Sequence, residues 1–389
     1  MNIRTQGRIP ELDGLRGLAI SLVLFCHYVY NSVPVAPGGP AGFIRAVFPL
    51  AWSGVDLFFV LSGFLIGGIL LDQREAENYL KPFYIRRACR ILPLYLLWLG
   101  LFFTVSWMFS AHLHQGWQAE LLGPACPKWA YLLFAQGFYM VKSWNFGPHW
   151  VTPTWSLTLE EQFYLLSPLV IRFVPVRRIP HVLISLILLV PLFRLFIYIY
   201  YHGTLLMHVL LPCRADTLLM GVLCAYLVRA ERPRCWLEKN QSRLYAALII
   251  LLAGAAYLTV YANNLWTSFE LLFLGYSWLA CLYACLLLIV ITAKKGLLVS
   301  VMRLRPLRYL GIIAYGVFMM HMAINELAHG LILGKEPHIT NWADGSVTIA
   351  ALGTTLLLAA LSWHFFEKPI IRWGHSFSYA SEKSPPASG

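Results

Sequence analysis

Apolar residues fall in runs of about twenty, each long enough for a helix to cross a bilayer core, and such runs occur about ten times. They lie near residues 12–31, 50–71, 90–112, 156–175, 181–201, 206–228, 244–262, 269–292, 308–330 and 346–367. The pattern predicts an all-α polytopic membrane protein with about ten transmembrane helices. A shorter apolar piece at 129–141, flanked by Pro124, Pro127 and Pro148, predicts an interfacial or re-entrant helix instead of a further span.

The polar residues inside these runs carry the chemistry, because an ionisable group at membrane depth is costly and marks a site by default. The first run, LDGLRGLAISLVLFCHYVYN, holds Asp13, Arg16 and His27. On a helix, the Arg16 to His27 spacing is about 20° past three full turns and about 16 Å of rise. One face therefore presents a cation near its start and an imidazole in its second half. Snorkelling of Arg16 and an interhelical hydrogen bond from His27 are the ordinary alternatives. The second run holds Asp56 near its start and then Ser62 and Gly63, small residues that let helices approach closely. The segment FYIRRACRILP places Arg86, Arg87 and Arg90 within about a turn of one another. Such a cluster suits lipid headgroups or a soluble polyphosphate equally well. Pro93 is expected to kink the entry to the third helix.

The run at 156–175 opens with Glu160 and Glu161, where the helix dipole favours carboxylates. Later runs hold Arg214 and Asp216, read as mutual partners, then His321, and Glu367 as a counter-ion to the inner arginines. Trp144, Trp150 and Trp155 end the longest loop, 113–155, as an interfacial aromatic belt or a stacking surface for a sugar. The polar residues thus form two layers. Arg16, Arg86, Arg87, Arg90 and Glu367 make the inner one; His27, Asp56, Glu160, Arg214, Asp216 and His321 make the outer one.

Composition narrows the class. A chain of 389 residues that is 59% hydrophobic and 12% charged, with mean hydropathy +0.64, is not an ordinary soluble protein. Most of its 30 Lys and Arg residues sit in alternate loops. The net charge of +12 then reads as positive-inside topology with both termini cytoplasmic, and not as a nucleic-acid surface. The eight cysteines make no CxxC or Cys/His metal spacing, so no metal site is expected. The first run is too polar for a cleaved signal peptide. Neither a phosphate-binding glycine pattern nor a transporter-type inverted repeat stands out. Residues 1–374 are expected to form the membrane domain, and the Ser/Pro-rich residues 375–389 a disordered cytoplasmic tail.

With these residues in view, the chain resembles the acyltransferase 3 family, membrane acyltransferases typified by O-antigen acetylases and macrolide acyltransferases, over about residues 8–372. Four segments carry the resemblance: IPELDGLRGLAISLVLFCH with its Arg-x10-His spacing, GVDLFFVLSGFLI at 54–66, RRACRILP at 86–93 and WSLTLEEQFYLLSPL at 155–169. Weaker echoes are LPCRADTLLMG, the YGVFMMHMAI segment and FFEKP. The resemblance implies transfer of an acyl group, usually acetyl, from cytoplasmic acyl-CoA to a hydroxyl of an extracytoplasmic or lipid-linked carbohydrate, in the cytoplasmic membrane of a bacterium. Acyl-CoA is a co-substrate, and no permanently bound cofactor is implied. It implies a catalytic role for His27, acyl-CoA contacts from Arg16, Arg86, Arg87 and Arg90, and identifies Glu160 with the family's WSLxxE glutamate. Two features depart from the family. The Ser-Tyr-x-x-Tyr pattern reads Ala-Tyr-Gly-Val-Phe at 314–318, and the C-terminal esterase-like domain of some relatives is not expected.

The chemistry agrees with this resemblance. Arginines suit the phosphates of acyl-CoA. A neutral imidazole suits proton abstraction from a hydroxyl, with Glu160 or Asp56 fixing its tautomer. Trp155, Arg214, Asp216 and His321 are the expected acceptor contacts. A covalent acyl-histidine is the mechanistic alternative. The competing functional class is a carrier or flippase for a lipid-linked glycan, its arginines holding phosphate without acyl transfer.

Overall fold

Each apolar run folds as a helix, because a backbone inside a bilayer can satisfy its N–H and C=O groups only internally. The computed structural model describes residues 9–34, 39–109, 116–201, 204–261 and 268–380. In chain order the helices are α1 (Pro10–Phe25), α2 (Gly39–Val47), α3 (Gly54–Asp72), α4 (Leu80–Met108), α5 (Gly116–Leu122), α6 (Lys128–Leu132), α7 (Gln136–Ser143), α8 (Thr154–Phe173) and α9 (Ile179–Tyr201). There follow α10 (Thr204–Val209), α11 (Leu211–Arg229), α12 (Glu231–Lys239), α13 (Gln241–Tyr261), α14 (Tyr276–Thr292), α15 (Leu297–Met302), α16 (Arg305–Leu333), α17 (Trp342–Ser362) and α18 (Lys368–His375).

Among the described residues, nine helical segments are long and apolar enough to cross a membrane. The remaining expected span, 156–175, does form as α8, but Glu160, Glu161 and Gln162 in its body make it too polar to count with them. The piece at 129–141, expected as one interfacial or re-entrant helix, becomes two short helices, α6 and α7, broken at Phe134, whose φ is 51°. One boundary moves with consequence. The third span begins at Leu80, about ten residues early, so Arg86, Arg87 and Arg90 ride on the spanning helix itself. Pro93 lies inside that helix instead of at its entry.

Helices α1 and α16 lie side by side, as do α3 and α11, and glycines set the closeness of both pairs. A Cβ on Gly63 would run into the Leu218 carbonyl, and one on Gly221 into the Val60 carbonyl. Gly17 and Gly311 face the backbones of α16 and α1 in the same way. Gly63→Val should therefore force α3 from α11 at a cost of about 1–3 kcal/mol. A lowered unfolding temperature in detergent checks this; an unchanged one would mean the two backbones can part freely.

Among the described residues three helices contain a π turn, and each carries or meets a polar group within the bundle. The turn Cys26–Tyr30 continues α1 and carries His27. The turn Leu271–Gly275 precedes α14 and offers the Phe273 carbonyl to Arg194. The turn Trp363–Glu367 joins α17 to α18 and carries Glu367. After α18, residues 376–380 fold back on the start of α4. Arg86 Nε donates to the Phe377 carbonyl at 3.0 Å, and its guanidinium lies 5.0 Å from the Tyr379 ring centre. Asn78 donates to the Ser378 carbonyl and accepts from the Ala380 N–H. Of the expected tail, residues 381–389 lie outside the described residues.

Candidate active site

Five helices, α1, α3, α4, α8 and α16, converge on a cavity of about 110 Å³. Arg16, Arg87, Arg90, Glu160, Ser62 and Tyr315 are among its lining groups. Arg87 and Arg90, three residues apart on α4, share the face that turns inward. Arg86, one turn before Arg90, is instead held by the C-terminal segment, so the arginine cluster expected to act as a unit divides. The cationic set is Arg16, Arg87 and Arg90. Within the cavity, Tyr164 donates to Glu160 Oε2 at 2.7 Å and makes a short hydrogen bond with Ser62. Arg16 Nη1 stands 3.4 Å from Asp13. Glu367 accepts from Ser362 at 2.9 Å and lies within electrostatic reach of Arg90. Gly63 serves packing, as read from sequence, but its neighbour Ser62 belongs to the cavity.

Beyond the cavity stands a histidine pair. Phe318 lines the cavity, and its ring centre is 5.8 Å from that of His321. His321 Nε2 lies 2.9 Å from His27 Nδ1, and His321 Nδ1 lies 2.8 Å from the Phe318 carbonyl. A carbonyl can only accept, so His321 carries its proton on Nδ1. With both rings neutral, His321 Nε2 accepts from His27 Nδ1–H, and His27 Nε2 is left with its lone pair. His321 is fully buried, whereas His27 keeps some exposure. Tyr28 fixes the arrangement from the next position: its hydroxyl donates to the His321 carbonyl at 2.9 Å and pairs with Thr355 Oγ1 at 2.8 Å. The partner expected for His27 was a carboxylate, Glu160 or Asp56. The structure gives that place to His321, because Glu160 is engaged by Tyr164 among the cavity's polar groups and Asp56 belongs to another cluster.

That cluster is a four-residue ionic core. Arg214 Nη2 pairs with Asp56 Oδ1 at 2.6 Å, and Arg194 Nη2 with Asp216 Oδ2 at 2.9 Å. All four are buried, and the Arg214 guanidinium stacks 3.6 Å above the centre of the Tyr276 ring. Arg214 and Asp216 are therefore not mutual partners, and each is instead held in an ion pair with a residue of another helix. Arg194, which the sequence reading left aside, supplies the missing charge. Buried ions must be neutralised by opposite charge, and two of each sign on α3, α9 and α11 balance here, with Ser277 of α14 bonded to Arg194 and Asp216. Removing one partner strands the other. Asp56→Asn is expected to cost about 3–5 kcal/mol. The check is folded yield and unfolding temperature; a well-folded Asp56→Asn protein with no activity would return Asp56 to the chemistry.

The loop before α8 adds a pair that sequence reasoning missed. His149 Nδ1 lies 2.9 Å from Glu326 Oε2, and His149 Nε2 lies 3.9 Å from Glu120. Glu326 is buried on α16, and the signal for it was present: Asn325 and Glu326 interrupt an apolar run a turn beyond His321. Burial opposes charge on His149, but Glu326, Glu120 and Glu336 more than offset it, so its pKa lies above the ordinary imidazole value. Of the tryptophans read as a belt or a stacking surface, Trp150 is buried against Trp98, and Trp155 packs on Phe59 and Phe146. Trp144 is exposed.

The profile of the acyltransferase domain family matches residues 9–364. Among curated relatives, the chain is 27% identical to the peptidoglycan O-acetyltransferase OatA of Listeria monocytogenes, over 94% of this chain and 56% of that protein. It is 28% identical to the putative peptidoglycan O-acetyltransferase YrhL of Bacillus subtilis, over 95% of this chain and 56% of that protein. With the O-acetyltransferase OatA of Staphylococcus aureus the figures are 25%, 96% and 59%. The chain thus spans little more than half the length of these relatives, and no solved structure matches it significantly. The family profile covers the cationic cavity, the histidine pair and nearly every helix around them, and the chain belongs to the acyltransferase domain family.

Proposed function

We propose that this protein is a membrane O-acyltransferase that moves an acyl group, in the simplest case acetyl, from acyl-CoA to a hydroxyl of a cell-wall carbohydrate. The observation that carries the reading is that one helix, α1, brings Arg16 to the cationic cavity and His27 to the accessible end of the histidine pair. The arginines hold the donor's phosphates, while the cavity takes its thin arm. His27 Nε2 accepts the proton of the acceptor hydroxyl as the hydroxyl oxygen attacks the thioester carbon. The carbon–sulfur bond breaks, and the thiolate recovers the proton from the imidazolium. His321 Nε2 holds the His27 Nδ1 proton throughout, which keeps the reactive lone pair on Nε2 and steadies the imidazolium.

Positive-inside charge supports placing both termini and the arginine end in the cytoplasm, and the bacterial sources of the relatives support the cytoplasmic membrane of a bacterium. The names of the relatives support a peptidoglycan acceptor. A carrier would use the arginines alone, whereas the histidine pair suits proton transfer. The test is thioester consumption by purified protein in nanodiscs, read as free thiol from acetyl-CoA with and without muramidase-released peptidoglycan fragments. Fragment-dependent thiol release and labelled acetyl on the glycan are the expected results. Fragment binding without thioester loss would favour the carrier reading.

A further inference from the structure

Helix α16 orders the site along its length. Gly311, Ala314, Tyr315 and Phe318 border the cationic cavity, His321 meets His27, and Asn325 and Glu326 follow toward the opposite end. From Gly311 to His321 is about 15 Å of rise, and from His321 to Glu326 a further 7.5 Å or about that. Asn325 is four residues past His321 and so stands one turn beyond it on the same helix face. His149 reaches Glu326 from the loop before α8, and it lies near enough to His27 to act on it electrostatically.

Two acceptor atoms here have no partner. Asn325 Oδ1 and Glu326 Oε1 are buried without a hydrogen bond, although their residues are only 4% and 2% exposed. A buried acceptor left unpaired costs about 1–3 kcal/mol, and two successive residues of one helix that each carry such an acceptor call for groups that donate to them. The local charge defines that ligand further. Arginines line the cavity on one side of the histidines, whereas Glu326 and Glu120 stand with His149 on the other. Carboxylates repel phosphate and carboxylate groups and accept from hydroxyls.

We infer that Asn325, Glu326 and His149 form the acceptor subsite, and that they bind hydroxyl groups on an uncharged face of a sugar, next to the hydroxyl presented to His27. The inference rests on the acyl-transfer reading for the role of the site, but not for its occupancy. Asn325 and Glu326 accept from neighbouring sugar hydroxyls, and His149 orients Glu326 through Oε2 so that Oε1 stays available. The donor then enters from the arginine side and the acceptor from the carboxylate side, and they meet at His27.

The experiment measures glycan binding without donor. Muramidase-released peptidoglycan fragments are titrated against the full chain in nanodiscs, followed by tryptophan fluorescence, and isolated stem peptides serve as the control. The wild type should show saturable binding of the fragments and not of the peptides. Asn325→Leu and His149→Gln should each weaken it at least tenfold, while Arg86→Ala, outside the cavity, stays within twofold. Should Asn325→Leu fail to fold, the partly exposed His149→Gln decides. Absence of saturable binding by the wild type, equal binding of the peptides, or variants that bind like the wild type would overturn the inference. Glycan binding with no acetyl transfer from acetyl-CoA would instead sink the donor reading and leave the subsite standing.

Discussion

His27→Gln is expected to lower acetyl transfer by about 10³-fold, within the range that a positioned general base supplies. Glutamine keeps much of the size of the ring and can still meet His321 Nε2 with its amide N–H. It has no lone pair of comparable basicity to take the place of His27 Nε2. The loss should fall on the chemical step, so the Michaelis constant for acetyl-CoA should stay within about threefold of wild type. Pre-steady-state mixing of nanodisc-embedded protein with labelled acetyl-CoA and peptidoglycan fragments reads the step directly. A loss smaller than tenfold would mean that His27 is a packing residue whose bond to His321 holds α1 to α16. The same experiment separates direct transfer from an acyl-enzyme. Label that stays on the wild-type protein when fragments are withheld, and is lost with His27→Gln, would point to a covalent acyl-imidazole.

The span pattern could be read from sequence because it depends on one strong constraint, the need of a bilayer-embedded backbone for internal hydrogen bonds. That constraint located α8 as well, even though its glutamates weaken the hydropathy signal. The Arg16–His27 stripe was also legible, since it needs only helical geometry, and the two residues lead to the cavity and to the histidine pair. Partner identity was not legible. Depth arguments put Asp56, Glu160, Arg214, Asp216 and His321 in one layer, but a layer does not say which faces meet. Azimuth decided that Asp56 meets Arg214 and that Arg194 meets Asp216. A fully buried arginine near the middle of an apolar helix was itself the cue for a second ion pair. Loop residues were the hardest to place. His149 follows no helical period, and its partner Glu326 is distant in sequence.

The division of the arginine cluster leads to the second large effect. Arg87→Ala and Arg90→Ala should each raise the Michaelis constant for acetyl-CoA by about 10- to 100-fold, the worth of one charge-assisted hydrogen bond to phosphate. Because both line the same cavity, their effects should couple, and the double variant should lose less than the product of the single losses. Turnover at saturating donor should change little, since these groups bind what does not react. Lysine at either position should recover only part of the loss, as it brings the charge without the planar fork. Arg86→Ala provides the internal comparison. Its guanidinium is engaged by the Phe377 carbonyl and the Tyr379 ring, so it should loosen residues 376–380 and leave the donor constant within about threefold. Initial rates over a range of acetyl-CoA, at fixed fragment concentration, distinguish the three. Equal effects at all three positions would mean that the cluster acts as a diffuse cationic surface, attracting the donor without seating it. Effects at Arg87 and Arg90 alone would place the donor's phosphates at the cavity mouth, on the inward face of α4.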